Sequence, residues 1–122
     1  MEFRKTTMLR IYTGEDVFLG DKPLYKAVLL KAMELGIEGA TVSRGMAGYA
    51  AKKRGMGHGN SSFFSGVGNL PVIIEIIDDY ENLAKLLPYL EEKAEHAFIT
   101  IEECNYLVTD YIREKYNFGK KC

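Results

Sequence analysis

Residues Thr6 to Thr13 (Thr-Thr-Met-Leu-Arg-Ile-Tyr-Thr) are rich in β-branched and aromatic side chains, and Leu9 and Ile11 fall on one face. That pattern predicts a strand, ended by Gly14-Glu15-Asp16. Gly20-Asp21-Lys22-Pro23 then reads as a helix start, with Asp21 as the cap and Pro23 in the first turn. Tyr25, Val28, Leu29, Ala32 and Leu35 follow at helical spacing, with Lys26, Lys31 and Glu34 on the other side. Gly36 supplies a left-handed stop. A second strand runs from Ala40 to about Gly48, weakened by Gly45 and Gly48, and a long loop occupies residues 49–68.

Asn69-Leu70-Pro71 leads into a third strand, Val72 to Ile77, which is apolar on both faces: Val72, Ile74 and Ile76 on one, Ile73 and Ile77 flanking Glu75 on the other. Strands of this kind are normally buried on both sides. A single chain has helices for only one side, so the other face is expected to be covered in an oligomer. Asp78 and Glu81 resemble a capping box before a second helix carrying Leu83, Leu86, Leu87 and Leu90 inward. Pro88 lacks a backbone donor and predicts a kink or break there. Phe98 to Ile101 begins a last strand, which Glu102-Glu103 is expected to interrupt before it resumes at Cys104 to about Thr109. The tail, 110–122, reads as a short helix or arm. The order β-α-β-β-α-β predicts an α+β, ferredoxin-like sandwich. One domain spans 1–122, with its core at about 6–109.

Composition changes this picture in one respect. The 122 residues carry 16 Lys and Arg against 17 Asp and Glu, a formal net charge of −1. That balance argues against a polybasic nucleic-acid binder. The charge is unevenly spread, however. No acid occurs between Glu38 and Glu75, a window holding Arg44, Lys52, Lys53, Arg54 and His58. Nine of the 12 glycines lie between Gly36 and Gly68. The middle of the chain is thus basic and glycine-rich within an acidic frame, and its free backbone N–H groups suit an anion. A solvated loop short of acid by chance is the plainer reading.

Enzymatic signatures are missing: there is no Gly-x-Ser-x-Gly elbow and no His-Glu-x-x-His. Glu102 and Glu103 alternate across a strand and cannot share a proton. A non-enzyme is expected. Neither a metal-ligand spacing nor a Walker A loop occurs, since Ala51-Lys52-Lys53-Arg54-Gly55-Met56-Gly57-His58-Gly59 lacks the required pattern. It still offers cations and amides to a phosphate. Tyr49 is placed either to stack on a base or simply to pack. The RNA-recognition signature is absent from the third strand. Cys104 and Cys122 read as free thiols in a reducing cytoplasm. The Met1-Glu2-Phe3-Arg4-Lys5 start argues against a secretory leader.

Four segments together resemble one family: Leu9-Arg10-Ile11-Tyr12-Thr13-Gly14-Glu15, Lys22-Pro23-Leu24-Tyr25, Gly39 to Tyr49 (Gly-Ala-Thr-Val-Ser-Arg-Gly-Met-Ala-Gly-Tyr), and Leu70 to Asp78 (Leu-Pro-Val-Ile-Ile-Glu-Ile-Ile-Asp). They look like domain of unknown function 190, a PII-like family, over roughly residues 7–109. The resemblance implies a PII-like ferredoxin fold, a homotrimer whose open sheet faces meet around a three-fold axis, and a sensing loop after the second strand. It further implies an adenine nucleotide between subunits near the loop base, with Arg44, Gly45, Gly48 and Tyr49 there and Lys52, Lys53, Arg54 and His58 further out.

PII proteins hold phosphates with a glycine-rich basic loop before the last strand. Here that stretch is Lys93-Ala94-Glu95-His96-Ala97-Phe98, without glycine. The departure favours AMP or ADP over ATP. The family also occurs alongside fluoride-export channels, which implies a membrane channel or transporter as a partner. The expectation is therefore a trimeric nucleotide-binding signalling protein. The alternative is a trimer that docks on protein, or answers a divalent metal through His58, without nucleotide.

Overall fold

The computed structural model describes residues 1–48 and 70–118. Strand β1 (Phe3–Gly14) is followed by a small hairpin of β2 (Phe18–Leu19) and β3 (Lys22–Pro23), then helix α1 (Leu24–Glu34) and β4 (Ala40–Arg44). After the undescribed segment come β5 (Pro71–Asp78), α2 (Tyr80–Ala84), α3 (Leu87–Lys93), β6 (Phe98–Leu107) and α4 (Asp110–Lys115). The four long strands form one sheet in the order β4-β5-β1-β6, with every pairing antiparallel. This is the ferredoxin-like arrangement expected from the element order. Sites called at Tyr49, Lys52, Lys53, Arg54 and His58, and the thiol of Cys122, lie outside the described residues.

Alternation within the strands builds the core. Leu9 and Ile11 of β1, with Val72, Ile74 and Ile76 of β5, meet Val28 and Ala32 of α1 and Leu83, Leu86 and Leu90 from the α2–α3 region. Each fully buried Leu or Ile contributes on the order of 1.5–3 kcal/mol. The α1 stop is a complete Schellman motif: Gly36 has φ +83°, its N–H reaches Met33 O at 3.1 Å, and Ile37 N–H reaches Ala32 O at 3.0 Å. Pro88 stands in the first turn of α3, so the expected break falls just before it and divides two short helices.

Four expectations are corrected. Asp21 does not cap α1; it lies in the β2–β3 hairpin beside Gly20 at φ +67°, and Pro23 occupies the cap position without a side-chain bond. Asp78 and Glu81 make no capping box. Asp79 is the cap residue of α2, and Asp78 Oδ1 instead accepts from Asp79 N–H at 2.7 Å and Asn82 Nδ2 at 3.0 Å. β6 runs unbroken through Glu102-Glu103, because each carboxylate has a cation across the strand pair: Arg10 Nη1 at 3.4 Å for Glu102, and Lys5 Nζ at 3.5 Å for Glu103. β4 ends at Arg44 rather than near Gly48, where the backbone leaves the ladder.

Helices α1, α2 and α3 cover one side of the sheet. The other side carries Ile77 at 51% and Phe98 at 47% exposure, as the two-faced hydrophobicity of β5 requires. In the middle of this open face Arg10 joins three strands, with Nε 3.1 Å from Glu75 Oε2 on β5 and Nη1 near Glu102 on β6.

Candidate functional site

Register brings the C-terminal ends of β1 and β4 to the start of β5: Gly14 pairs with Pro71 and Arg44 with Val72. The long central segment leaves and returns at this corner. Gly45 N–H donates to Pro71 O at 2.8 Å, and Glu15 N–H donates to Leu70 O at 3.0 Å. A Cβ on Gly45 would sit 2.7 Å from Pro71 Cγ, and one on Gly48 would sit 3.1 Å from the same atom. A side chain at Gly45 would force something to shift, and one at Gly48 would be tight against the same proline ring.

Glu15 ties the corner together. One carboxylate oxygen, Oε1, accepts from Leu70 N–H at 3.3 Å. The other, Oε2, lies 2.8 Å from Arg44 Nε. The Glu15 side chain is only 14% exposed, whereas that of Arg44 is 62% exposed. Among the described residues the guanidinium has Glu15 as its ion-pair partner, met through Nε, and most of its side chain is exposed. An exposed fork of N–H donors held from one side can take two oxygens of a phosphate or carboxylate.

Of the eight residues called from sequence, Arg44, Gly45 and Gly48 come together here. Glu15 went unassigned, as a strand terminator. The available signal was topological: β5 pairs with both β1 and β4, which brings the acid just after β1 near the base that ends β4.

Among the described residues no group of three or more His, Cys, Asp or Glu side chains is disposed to hold a metal. No helix among them is long and apolar enough to cross a membrane.

A cavity of about 810 Å³ opens at the opposite end of the sheet, between the open face and the C-terminal arm. Arg4, Ile77, Asp78 and Tyr106 line it from the sheet, and Ile112 and Tyr116 from the arm. Thr109 Oγ1 caps α4 by accepting from Ile112 N–H at 3.2 Å. Arg113 pairs with Glu2, and the Arg4 guanidinium lies 3.9 Å above the Phe118 ring. A hydrogen bond to Glu38, followed by burial, raises the Tyr116 phenol above its ordinary value. The cavity shares no residue with the corner at Arg44, and its cations Arg4, Lys5 and Lys115 share the lining with the acids Glu38, Asp78 and Asp79.

The architecture defines a protein of the PII-like fold. A PII-like signalling protein of Thermus thermophilus superposes with a TM-score of 0.60 at 18% identity, covering 95% of this chain and 99% of its own. A nitrogen regulatory PII-like protein of Thiomonas intermedia, solved with ADP and bicarbonate, gives 0.51 at 15% identity, covering 86% and 91%. Sequence narrows the class. The DUF190 model, described as Uncharacterized ACR, matches residues 6–106, and the chain belongs to that family. It is also 40% identical over 103 residues to a UPF0166 protein of Aquifex aeolicus, across 84% of this chain and 94% of the relative.

Proposed function

We propose that the chain is a non-enzymatic, cytoplasmic PII-like signalling protein that binds an adenine nucleotide, AMP or ADP in preference to ATP, in the clefts of a homotrimer. The observation that carries this reading is the corner at Arg44. There an exposed guanidinium, paired through Nε with Glu15, stands beside a turn whose two glycines pack on the Pro71 ring. The ADP in the Thiomonas protein belongs to that protein; as a bound member of the same fold it supports the ligand class. In this reading Arg44 and the Lys52-Lys53-Arg54 run meet phosphate, and Tyr49 contacts the base or seals the cleft. His58 lies further along the same basic stretch. Trimer contacts come from the open sheet face, and a membrane channel or transporter is the downstream partner.

Calorimetric titration with AMP, ADP and ATP tests the proposal. Binding of AMP and ADP is expected, with ATP weaker, and Arg44→Ala weakens it. Arg44 supplies a charge-assisted contact worth about 1.5–3 kcal/mol, so a loss of ten- to a hundredfold is the expected scale. Absence of heat with all three nucleotides overturns the nucleotide reading. Binding that Arg44→Ala leaves intact overturns the placement of the site.

A further inference from the structure

Glu15 is the most constrained side chain at the corner, and nucleotide contact alone does not explain it. Its carboxylate is mostly buried, held by Leu70 N–H on one oxygen and paired with Arg44 Nε on the other. An arginine free in water must give up several rotamers to present its fork, at about 0.5–1.5 kcal/mol for such a side chain. An arginine held by Nε has already lost that freedom. Its two Nη groups remain in one plane, directed away from the carboxylate that grips it.

We propose that Glu15 is a positioning residue: it holds Arg44 by Nε so that both Nη groups receive the oxygens of one terminal phosphate in a bidentate pair. This rests on the nucleotide reading above and adds to it the orientation of the cation and the identity of the residue that sets it. Leu70 N–H belongs to the same chain of bonds. The hold on Arg44 is therefore anchored in the residue where the chain re-enters the sheet, next to Pro71. A lone cation on a mobile stem would give the same charge without the direction.

The geometry sets two requirements. The residue at position 44 must have a fork, which lysine lacks. The residue at position 15 must accept two N–H bonds at once, which glutamine does only by turning its amide so that one oxygen serves both, and alanine cannot do.

Calorimetry with ADP on Glu15→Ala, Glu15→Gln and Arg44→Lys tests the proposal, with adenosine as a probe that has no phosphate. Glu15→Ala is expected to weaken ADP about tenfold, the scale of one long side chain left unordered. Adenosine binding stays as in the wild type. Glu15→Gln is expected to recover part of the ADP affinity. Arg44→Lys, which keeps the charge and leaves Glu15 in place, is expected to lose as much as Arg44→Ala. It also serves if Glu15→Ala fails to fold. ADP binding unchanged in Glu15→Ala, or preserved in Arg44→Lys, overturns the positioning role while leaving the nucleotide site standing. Equal loss of ADP and adenosine in Glu15→Ala reduces Glu15 to a structural strut and also overturns it. No ADP binding by the wild type overturns the nucleotide reading and this one together.

Discussion

Pro71 is a packing partner for two glycines at once, and at residue scale that contact is the tightest feature of the proposed site. Its ring fills the space where Gly45 and Gly48 lack side chains, while its carbonyl accepts from Gly45 N–H. Gly45→Ala would place a methyl 2.7 Å from Pro71 Cγ, so the ring or the chain must shift. Overpacking of this kind costs about 1–3 kcal/mol. A thermal melt is expected to register that loss, while Gly39→Ala, whose added Cβ meets nothing within 4 Å, serves as the near-neutral control. The residues that matter at this corner differ in how readable they are. Arg44 stands out because it is the first base in an acid-free stretch. Glu15 does not, since its role depends on two partners 29 and 55 positions away in the chain.

At the scale of elements, the β-α-β-β-α-β order is legible because each segment has one dominant signal. Alternation marks β1, β-branched density marks β5, and a glycine in the left-handed region ends α1. Pro88 likewise marks the α2–α3 break. The caps are less legible. Asp21 and Asp78 have the right chemistry in the right place, but one is claimed by a two-residue hairpin and the other by Asn82. The Glu102-Glu103 pair looks disruptive along the chain and becomes favourable only across it, where Arg10 and Lys5 reach the two carboxylates diagonally.

The C-terminal arm is another cross-chain feature, latched to the start of β1 by Glu2 and Arg113. The hydrogen bond from Arg113 depresses the Glu2 carboxyl below its ordinary value of 4.5, despite an opposing effect of burial. A group with a lowered folded-state pKa binds fewer protons folded than unfolded between the two values, so stability there rises with pH. The latch is complete above pH about 4.5 and is lost as pH falls through the lower, folded value. The protection of residues 109–118 against hydrogen exchange, taken relative to the intrinsic rate at each pH, is expected to fall in that acidic window. In Glu2→Gln the same segment is expected to be less protected at neutral pH, with little further change on acidification.

At the scale of the whole molecule, one layer of helices on a four-stranded sheet leaves a broad surface open. It is apolar at Ile73, Ile77 and Phe98, and is crossed by the Arg10 pairs to Glu75 and Glu102. In the proposed trimer this surface is the shared interior. A charge introduced there has no partner and is costly to bury. Ile73→Asp is expected to convert a three-chain species to a one-chain species by light scattering, while far-ultraviolet dichroism stays that of the folded domain. A wild type that is already monomeric at micromolar concentration would contradict the trimer. The sequence reading reaches this face through the double hydrophobicity of β5, but not the arginine at its centre, because Arg10 reads there as an ordinary polar position in β1.

The stapled corner bears on how this fold diversifies. Among the described residues, bonds of Glu15, Arg44, Gly45 and Pro71 hold the two ends of the 25-residue span 46–70. Closing a flexible span costs free energy that grows only with the logarithm of its length, about 0.6 kcal/mol for each doubling. With the ends joined by the sheet itself, a lineage can lengthen, shorten or replace most of that span and keep the register of all four strands. Selection for new partners can then act on an exchangeable insert while the ancestral scaffold beneath it stays intact.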